Sequence, residues 1–565
     1  MSETSETSQT GRSVQSFDLT GQPWIGVLQR DGTQTELSLR EVFAQAGDVR
    51  RVAGDLPTQE FALMRMLLAI AHDALDGPKD IEHWSRLWGD EECFATVAGY
   101  LDTHRQRFDL LDPEVPFFQT AGLRTAKDEV FALNRIVADV PNGEPFFSAR
   151  PPGVDRLSFA EAARWVVHAH AYDTSGIKSG VVGDERAKSG KVYPLGVAWA
   201  GMLGGVFVEG RDLRETLLLN LMAADTNTLT DAGEDRPAWR REPSGPGGAE
   251  RTPTGVRDLY TWQSRRLRLH TDPDGVYGVV LGYGDPLTAR NMHTHEPMTA
   301  WRRSPAQEKK HGLPLVYLPR EHDPARSAWR GLASLIADRT QHQSDDQGVP
   351  AYLRPRILDW VARLVTRRAL PRGFLVRVRV IGSTYGTQQS VVDEVIDDQL
   401  TMGLVLLHEQ DRAYAQQAID AVSDADDAVK ALGDLATDLQ RAAGSENETP
   451  RLVARDRAFG ELEGPYRAWL ASLGDAEDPL EERALWQAQV HRIVSRLATQ
   501  MIADAGDAAW QGRTVPANQG TVWLNSALAD RWFQARLRTR LGQSIPPHLP
   551  SPRSGTAELS PKVHP

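Results

Sequence analysis

The chain has 565 residues, enough for two to four domains, and its 41% hydrophobic and 25% charged residues are typical of a soluble globular protein. The formal net charge of −12, from 64 basic and 76 acidic side chains, excludes a surface uniformly coated in positive charge but allows local basic patches. No apolar run reaches about 18 residues, the N-terminus does not have the pattern of a signal peptide, and Cys93 is the single cysteine, so we expect no membrane helix, no disulfide within the chain and a cytoplasmic setting.

The first half of the chain predicts a mixture of strands and helices after a disordered tail at residues 1–16. Strand patterns on both sides of Asp31-Gly32 predict a β-hairpin. Helical patterns follow over Leu37–Ala46 and Glu60–Leu75, and the second is apolar on nearly every face, so we expect it in the core. Gly201–Met222 predicts a strand followed by a helix.

Long loops interrupt this region. Ala138–Val154 is rich in proline and glycine, and Tyr172–Lys191 is rich in glycine, serine and lysine. Loops of this length inside a compact domain are usually functional or disordered. Residues 224–255 form a third surface excursion, in which Trp239 is expected to pack back onto the body of the protein.

The strongest basic block lies between Ala351 and Val380 and contains one acid, Asp359. Its eight arginines are Arg354, Arg356, Arg363, Arg367, Arg368, Arg372, Arg377 and Arg379. One interpretation is a solvated helix face. The other is nucleic-acid binding, because a strand with alternating polarity leads from this block to a turn with Gln388 and Gln389, whose amides can donate and accept hydrogen bonds at base edges.

After Val391 the spacing becomes helical. Helices are predicted over residues 395–444, 449–473, 480–506 and 521–542. Four or five antiparallel helices with short links predict a bundle. The sequence therefore predicts an α+β protein with a mixed α/β domain at residues 17–394, a C-terminal helical (four-helix) bundle at 395–545 and a disordered tail at 546–565.

Signals for catalysis are weak. His168, His170 and Asp173, or His293 and His295, are candidate metal ligands, but a catalytic metal needs three or four convergent ligands. The glycines of the second loop lack the spacing of a nucleotide-binding G-x-x-x-x-G-K-[ST] motif. A metal-dependent hydrolase and a generic helical scaffold therefore remain alternatives to a non-enzymatic nucleic-acid-binding protein.

An ordered series of short segments is shared with a known family. They are Gln22–Val27, Val115–Thr120, Ala138–Phe147, Gly176–Gly180, Gly210–Met222, Arg236–Glu242, Gly255–Gln263, His295–Arg303 and the glutamine turn TYGTQQSVVDE. By these segments and the helical C-terminus, the chain resembles the CasA family, the large subunit of the type I-E CRISPR surveillance complex called Cascade. The cysteine cluster of some members is absent, because this chain has only Cys93.

The resemblance implies a mixed α/β N-terminal domain of unusual topology, followed by a helical bundle. It implies a subunit that is not an enzyme and needs no cofactor. Such a subunit finds the protospacer-adjacent motif (PAM) on duplex DNA from the minor groove, wedges the strands apart to start R-loop formation and helps to recruit the helicase–nuclease. The implied partners are the backbone, small and 5′-end-binding Cascade subunits, the CRISPR guide RNA and double-stranded target DNA, with no membrane involved.

The resemblance also assigns roles to residues. Gln389 falls on the wedge position at a hairpin tip, and Gln388 and Ser390 flank it as PAM contacts. The family's glycine loop matches residues 175–180. Its DNA-binding candidates are Ser175, Gly176, Lys178 and Gly180.

Two further matches lie elsewhere in the chain. Arg302 and Arg303 match a basic pair associated with DNA binding. The loop that anchors the family's subunit at the 5′ end of the guide RNA matches a segment containing Pro141, Asn142, Gly143 and Phe146.

Overall fold

A computed structural model describes residues 15–138, 153–226, 235–336, 349–371, 373–517 and 520–541. The chain divides into two compact units, one formed by Met1–Ala415 with Leu470–Asp475 and the other by Gln416–Trp469 with Ala476–Pro565. The first unit mixes helices and strands and the second is mainly helical, so the predicted α+β class is confirmed. Within the described ranges, no helix has the length and apolarity needed to cross a bilayer.

The first unit begins with a small sheet and a group of helices. In chain order these are β1 (Ile25–Gln29), β2 (Gln34–Leu37), α1 (Leu39–Ala44), β3 (Val49–Val52), α2 (Pro57–Ala74), α3 (Ile81–Gly89) and α4 (Thr96–Thr103). Strand β1 pairs with β2 and β3 in antiparallel fashion, which confirms the predicted hairpin. Ser38 starts α1 with a capping box, in which its side chain and that of Glu41 satisfy each other's backbone N–H groups.

The rest of this unit is built from short helices and several small sheets. Its elements are α5 (Phe159–Tyr172), β4 (Lys178–Ser179), β5 (Lys191–Val192), β6 (Gly205–Glu209), α6 (Leu213–Asn220), α7 (Val256–Tyr260), β7 (Arg265–Asp272), β8 (Gly275–Tyr283), β9 (Trp301–Arg303), α8 (Pro305–His311), β10 (Tyr317–Pro319), α9 (Ala333–Ile336), β11 (Tyr352–Leu353), α10 (Arg356–Thr366), β12 (Leu375–Tyr385) and β13 (Val392–Gly403). The strand and helix predicted within Gly201–Met222 are β6 and α6 and are confirmed.

Helix α2 is central to the core of the first unit. Every residue from Thr58 to Asp73 is buried, as its apolar sequence predicts. The helix packs against α5, α7 and β12. Its buried Arg65 forms a two-pronged ion pair with Glu296, at 3.0 and 2.8 Å, which satisfies both charges inside the core.

Strand β13 corrects the prediction that helical structure begins at residue 395. The segment pairs antiparallel with β12 from Tyr385 opposite Val392 to Leu375 opposite Gly403. Its strand character is hard to see in the sequence because VDEVIDDQLTMG carries adjacent acids and only a broken alternation of buried and exposed residues. The glutamine turn joins these two paired strands and is therefore the tip of a long β-hairpin. In the sheet, β12 lies between β13 and β6.

Within its described residues, the second unit is a bundle of four long helices with one short hairpin. Its elements are α11 (Arg412–Ala443, which begins in the first unit), α12 (Thr449–Ser472, up to Trp469), α13 (Pro479–Asp504), α14 (Gly506–Gln511), β14 (Arg513–Ala517), β15 (Gly520–Leu524) and α15 (Ser526–Leu541). Hydrogen bonds join α11 to α12, α13 and α15, including Tyr466 Oη to the Ala418 carbonyl and Trp486 Nε1 to the Ala421 carbonyl. The hairpin replaces the start of the helix predicted at residue 521.

Candidate nucleic-acid interface

The glutamine tip, residues 386–391, connects β12 to β13 and exposes its polar side chains. Gln388 and Gln389 both have left-handed backbone conformations, with φ of 57° and 55°, and both are exposed. Each of these left-handed backbone conformations costs about 1 kcal/mol or more for a residue other than glycine. The tip offsets this cost with internal bonds, because the Gln389 N–H donates to the Gly386 carbonyl at 2.8 Å and the Ser390 hydroxyl donates to the Thr387 carbonyl at 2.9 Å.

The predicted glycine loop lies directly against this tip. The backbone N–H of Ser175 donates a 2.8 Å hydrogen bond to the carbonyl of Gln389. Gly176 has φ of +119°, which favours glycine, and a Cβ there would lie 3.8 Å from the Cβ of Ser390. The structure therefore brings together two segments that sequence analysis predicted separately.

The base of the tip is anchored by Tyr385. Its hydroxyl donates to the carbonyl of Tyr172, the last residue of α5, at 2.9 Å. The tyrosine reaches this position only because residue 201 is glycine, since a Cβ there would lie 2.3 Å from the Tyr385 hydroxyl oxygen. The hairpin is thus fixed to the same end of α5 from which the glycine loop departs.

Lys178 is buried in an ionic cluster and does not extend into solvent. Its Nζ lies 2.7 Å from a carboxylate oxygen of Asp173, and the side chains are 9% and 7% exposed. Arg265 pairs with the same carboxylate and donates to the carbonyls of Asp173 and Thr174. The ammonium group of Lys178, a predicted DNA-binding residue, is therefore paired inside the protein.

Tyr283 completes this cluster. Its hydroxyl donates to the Gly176 carbonyl at 2.7 Å, and its ring lies against Lys178 and Arg265 at 5.5 and 4.8 Å from the ring centroid. Burial alone would raise the pKa of Asp173, but the two adjacent cations outweigh burial and lower it. Asp173 therefore stays ionised at neutral pH, and the cluster holds the glycine loop in place.

Gly180, another predicted DNA-binding residue, is packed inside the β4–β5 hairpin. It is buried, its N–H donates to the Gly190 carbonyl at 2.8 Å, and a Cβ would lie 2.8 Å from the Cβ of Ala187. Gly180 thus lets the β4–β5 hairpin close tightly. The exposed cations of this hairpin are Lys188 and Lys191, two lysines of the loop whose ammonium groups suit phosphate contacts.

The two arginines of the predicted basic pair differ in exposure and in ion pairing. Arg302 is exposed on β9, whereas Arg303 is ion-paired with Glu308 at 2.8 Å. Only Arg302 therefore offers an exposed guanidinium at this pair. The predicted guide-RNA loop residues Pro141, Asn142, Gly143 and Phe146 lie outside the described residues.

Several arginines of the basic block between Ala351 and Val380 form ion pairs with acids of the same chain. Arg379 is 7% exposed and contacts Glu60, Glu209 and Asp397 at 2.6, 3.3 and 2.7 Å. Other members pair in the same way: Arg354 with Asp359, Arg363 with Asp225 and Arg377 with Glu209. Most of the described arginines of the block are therefore paired with acids of the same chain, whereas Arg367 and Arg368 are exposed.

The histidine clusters do not form a metal site. His168 Nε2 lies 3.0 Å from the Thr58 hydroxyl and His170 Nε2–H donates to the Phe118 carbonyl at 2.8 Å, and burial lowers the pKa of each to about 4. His293 packs against the rings of Trp301 and Tyr317. Across the described ranges, no three metal-binding side chains converge, so the hydrolase alternative is not favoured.

Sequence analysis missed the residues that hold the two segments in place. Arg265 and Tyr283 lie far from the glycine loop in sequence, and no local motif distinguishes them. Tyr385 belongs to the shared glutamine-turn segment, but nothing in that segment indicates its anchoring role. The pattern HAHAYD indicates Asp173 only as a potential metal ligand. Its position at the C-terminus of a helix, directly before a glycine-rich loop, was a usable signal for a residue that fixes the loop.

Comparison with known proteins places the chain in one family. The family model for the CRISPR-associated protein Cse1 matches residues 18–497. Cse1 of Thermobifida fusca is 58% identical, with a TM-score of 0.85 over 93% of this chain and 98% of that one. CasA/Cse1 of Thermus thermophilus is 28% identical over 374 residues, which are 62% of this chain and 68% of the relative.

A solved structure of a "CRISPR RNA-guided surveillance complex" contains a chain with 19% identity and a TM-score of 0.63, over 87% of this chain and 99% of that one. At this identity the likeness shows a common fold. The family match, by contrast, extends over most of the sequence. The chain belongs to the CRISPR-associated Cse1 family, whose members are also called CasA.

Proposed function

We propose that this chain is the PAM-recognition subunit of a type I-E CRISPR Cascade complex and is not itself an enzyme. It binds duplex DNA at the PAM from the minor groove, wedges the strands apart to start R-loop formation and helps to recruit the helicase–nuclease. Membership of the Cse1 family supports the assignment to Cascade. The fold shared with a chain of an RNA-guided surveillance complex agrees with it.

The hydrogen bond between the Ser175 N–H and the Gln389 carbonyl is the observation that carries this proposal. It joins a glycine loop, which lets DNA approach the backbone closely, to an exposed tip of uncharged amides. Two left-handed glutamines in succession are costly, and strained backbone of this kind often occurs at functional sites. The pairing therefore supports a binding role for the tip over that of an ordinary surface turn.

The chemistry of the tip suits a minor groove. That groove presents mainly the N3 and O2 acceptors of A·T pairs and the N2 donor of guanine, and a glutamine amide can bond to either kind of group. A neutral amide is also not drawn away to the phosphates. Unstacking one base step costs a few kcal/mol, which contacts to the backbone and later guide–target pairing would offset.

Further residues are proposed to contact the guide RNA, the neighbouring subunits and the DNA phosphates. The segment with Pro141, Asn142, Gly143 and Phe146 is proposed to contact the 5′ end of the guide RNA and the neighbouring backbone and 5′-end-binding subunits. Phosphate contacts are proposed for exposed Arg302, Lys188 and Lys191, while Lys178 is proposed to hold the glycine loop in position. Arg303 is proposed to support Arg302 from its ion pair with Glu308.

The test is duplex binding by a reconstituted Cascade complex with and without this chain, on targets bearing or lacking a PAM. We expect PAM-dependent binding only when the chain is present. If binding is the same without the chain, the proposed function is wrong.

A substitution separates wedging from simple binding. Gln389→Ala is expected to slow target-strand opening more than it weakens binding to the PAM duplex, because a wedge stabilises the unstacked state. Opening can be followed with a fluorescent base beside the PAM, and binding by electrophoretic mobility shift. Gln34→Ala, at an exposed glutamine on β2, is the matched control and should change neither. Equal losses of opening and binding in Gln389→Ala would contradict the wedge role.

A further inference from the structure

A cleft of about 660 Å³ in the first unit is lined by many arginines, and none of its lining residues belongs to the tip or the glycine loop. Its volume falls within the roughly 300–1,000 Å³ of small-molecule sites. We call it the arginine cleft. Its arginines are Arg107, Arg236, Arg240, Arg241, Arg251 and Arg266, and its lining acids are Glu242 and Asp285.

The segment RPAWRR (Arg236–Arg241) builds one side of the cleft. Its tryptophan, Trp239, is 2% exposed, packs 5.0 Å from the ring of Phe108 and donates its indole N–H to the Tyr100 hydroxyl at 2.6 Å. With the tryptophan anchored in the core, the arginines on either side of it line the cleft. The family resemblance includes this segment, but neither the tip nor the glycine loop accounts for it.

Arg107 meets this segment from a neighbouring turn. Its guanidinium donates to the carbonyls of Arg241 and Ala238 at 2.8 and 3.1 Å. In the described part of the chain, neither Arg107 nor Arg236 forms an ion pair, whereas Arg240 pairs with Asp73 and Arg266 with Asp285. Among the described residues, Arg107 and Arg236 therefore line the cleft without an ion pair, and the nearby Glu242 and Asp112 offset the charge of Arg107 only in part.

The pKa values of the cleft arginines also indicate an excess of positive charge. Burial lowers the pKa of Arg107, Arg241 and Arg266, and the acids near them do not fully compensate. An anion entering the cleft would remove this imbalance. Asp285, the buried acid of the lining, is already neutralised by Arg251 and Arg266 and would repel an anion only weakly.

The rim of the cleft adds neutral donors. Ser244, Gly245 and Gly247 line it, and glycines let backbone N–H groups approach a ligand closely. Gln119 and Gln263 also line the cleft, but their amide groups donate to backbone carbonyls of the protein. Planar guanidinium forks together with a glycine-rich rim suit phosphate oxygens better than a single carboxylate.

We propose that the arginine cleft binds a small phosphate-bearing ligand of nucleotide size. Arg107 and Arg236, which form no ion pair within the described residues, supply positive charge, and the glycine rim supplies further donors. This site is independent of the PAM-recognition proposal, because the two share no residue.

The test is isothermal titration calorimetry on the purified full-length chain with ADP, pyrophosphate and adenosine as probes. We expect saturable one-to-one binding of ADP and pyrophosphate and none of adenosine. Arg236→Gln should weaken binding about tenfold, since it removes a charged donor. Arg236 is exposed, so its replacement should leave the fold intact, which thermal melting without ligand checks. Arg86→Gln, at an exposed arginine of α3, is the matched control and should bind like the wild type.

Three outcomes would overturn the proposal. The first is no saturable binding of ADP or pyrophosphate at millimolar concentration. The second is an equal loss in Arg86→Gln and Arg236→Gln, which would show a general charge effect. The third is Arg236-dependent binding of a short single-stranded oligonucleotide but not of ADP or pyrophosphate, which would assign the cleft to a nucleic-acid path.

Discussion

A lysine in a glycine-rich loop can support DNA binding in two ways, by touching a phosphate or by fixing the loop that approaches the DNA. Lys178 has the second geometry, because its ammonium is buried 2.7 Å from Asp173 and beside the ring of Tyr283. Lys191, at the other strand of the same small hairpin, is exposed and has the first geometry. The two lysines are therefore a natural pair for separating the two roles.

Lys178→Met is expected to destabilise the protein by about 1–3 kcal/mol, since Arg265 still balances Asp173 but one partner of a buried pair is lost. PAM-duplex affinity should fall through misplacement of the loop, with an unchanged dependence on salt. Lys191→Met should leave stability unchanged and lower the salt slope by about one phosphate contact. Measurements are thermal melting and duplex binding at several salt concentrations. A reduced salt slope in Lys178→Met would show that this lysine contacts phosphate after all.

Arg379, in the basic block, is a second buried cation with a structural role. Its guanidinium contacts Glu60, Glu209 and Asp397 at once, so Arg379→Met would remove one partner from each carboxylate, although Glu60 keeps Arg51 and Glu209 keeps Arg377. We expect a loss of about 1–3 kcal/mol in the free energy of unfolding, measured by urea denaturation. Arg367→Gln, at an exposed arginine of the same block, should cost less than about 0.5 kcal/mol. Similar losses in the two variants would contradict the internal role of Arg379.

At the scale of elements, the β12–β13 hairpin depends on a tip whose two glutamines both have positive φ. Asparagine adopts this conformation more readily than other residues with side chains, and β-branched residues resist it. Gln388→Val is therefore expected to destabilise the hairpin by about 1 kcal/mol or more relative to Gln388→Asn. Hydrogen exchange of the Ser175 and Gln389 amides, which are bonded at the tip, provides the measurement. Equal protection in the two variants would show that the left-handed conformation is not required.

Local patterns predicted most of the elements and only part of the site. The apolar helix α2, the hairpin at Asp31-Gly32 and the long C-terminal helices have strong periodicity or turn signals, and each was predicted. Strand β13 was not, because adjacent acids break its alternation and tertiary pairing with β12 decides its structure. The exposed glutamines were found from their type and setting. The contact between Ser175 and Gln389 was not, because pairing across so many residues leaves no local trace.

For the whole molecule, buried ionisable groups of the first unit set a limit on stability in acid. Burial lowers the pKa of His72 to about 3 and of His168 and His170 to about 4, so all three are neutral in the folded protein. In the unfolded chain, histidine has a pKa of about 6.5. As the pH falls below that value the unfolded state takes up protons that the folded state does not, so stability present above about pH 6.5 is lost toward about pH 4.

The expected loss at pH 5 is on the order of 2 kcal/mol per buried histidine, an upper bound that assumes full titration in the unfolded chain. Differential scanning calorimetry at pH 7.5 and pH 5.0 should show a lower melting temperature at the lower pH. His168→Gln keeps a group that can bond to the Thr58 hydroxyl but cannot titrate, so its melting temperature should fall less between the two pH values. His311→Gln, at an exposed histidine, should retain the wild-type pH dependence. If His168→Gln and His311→Gln respond identically to pH, protonation of His168 does not contribute to the acid sensitivity.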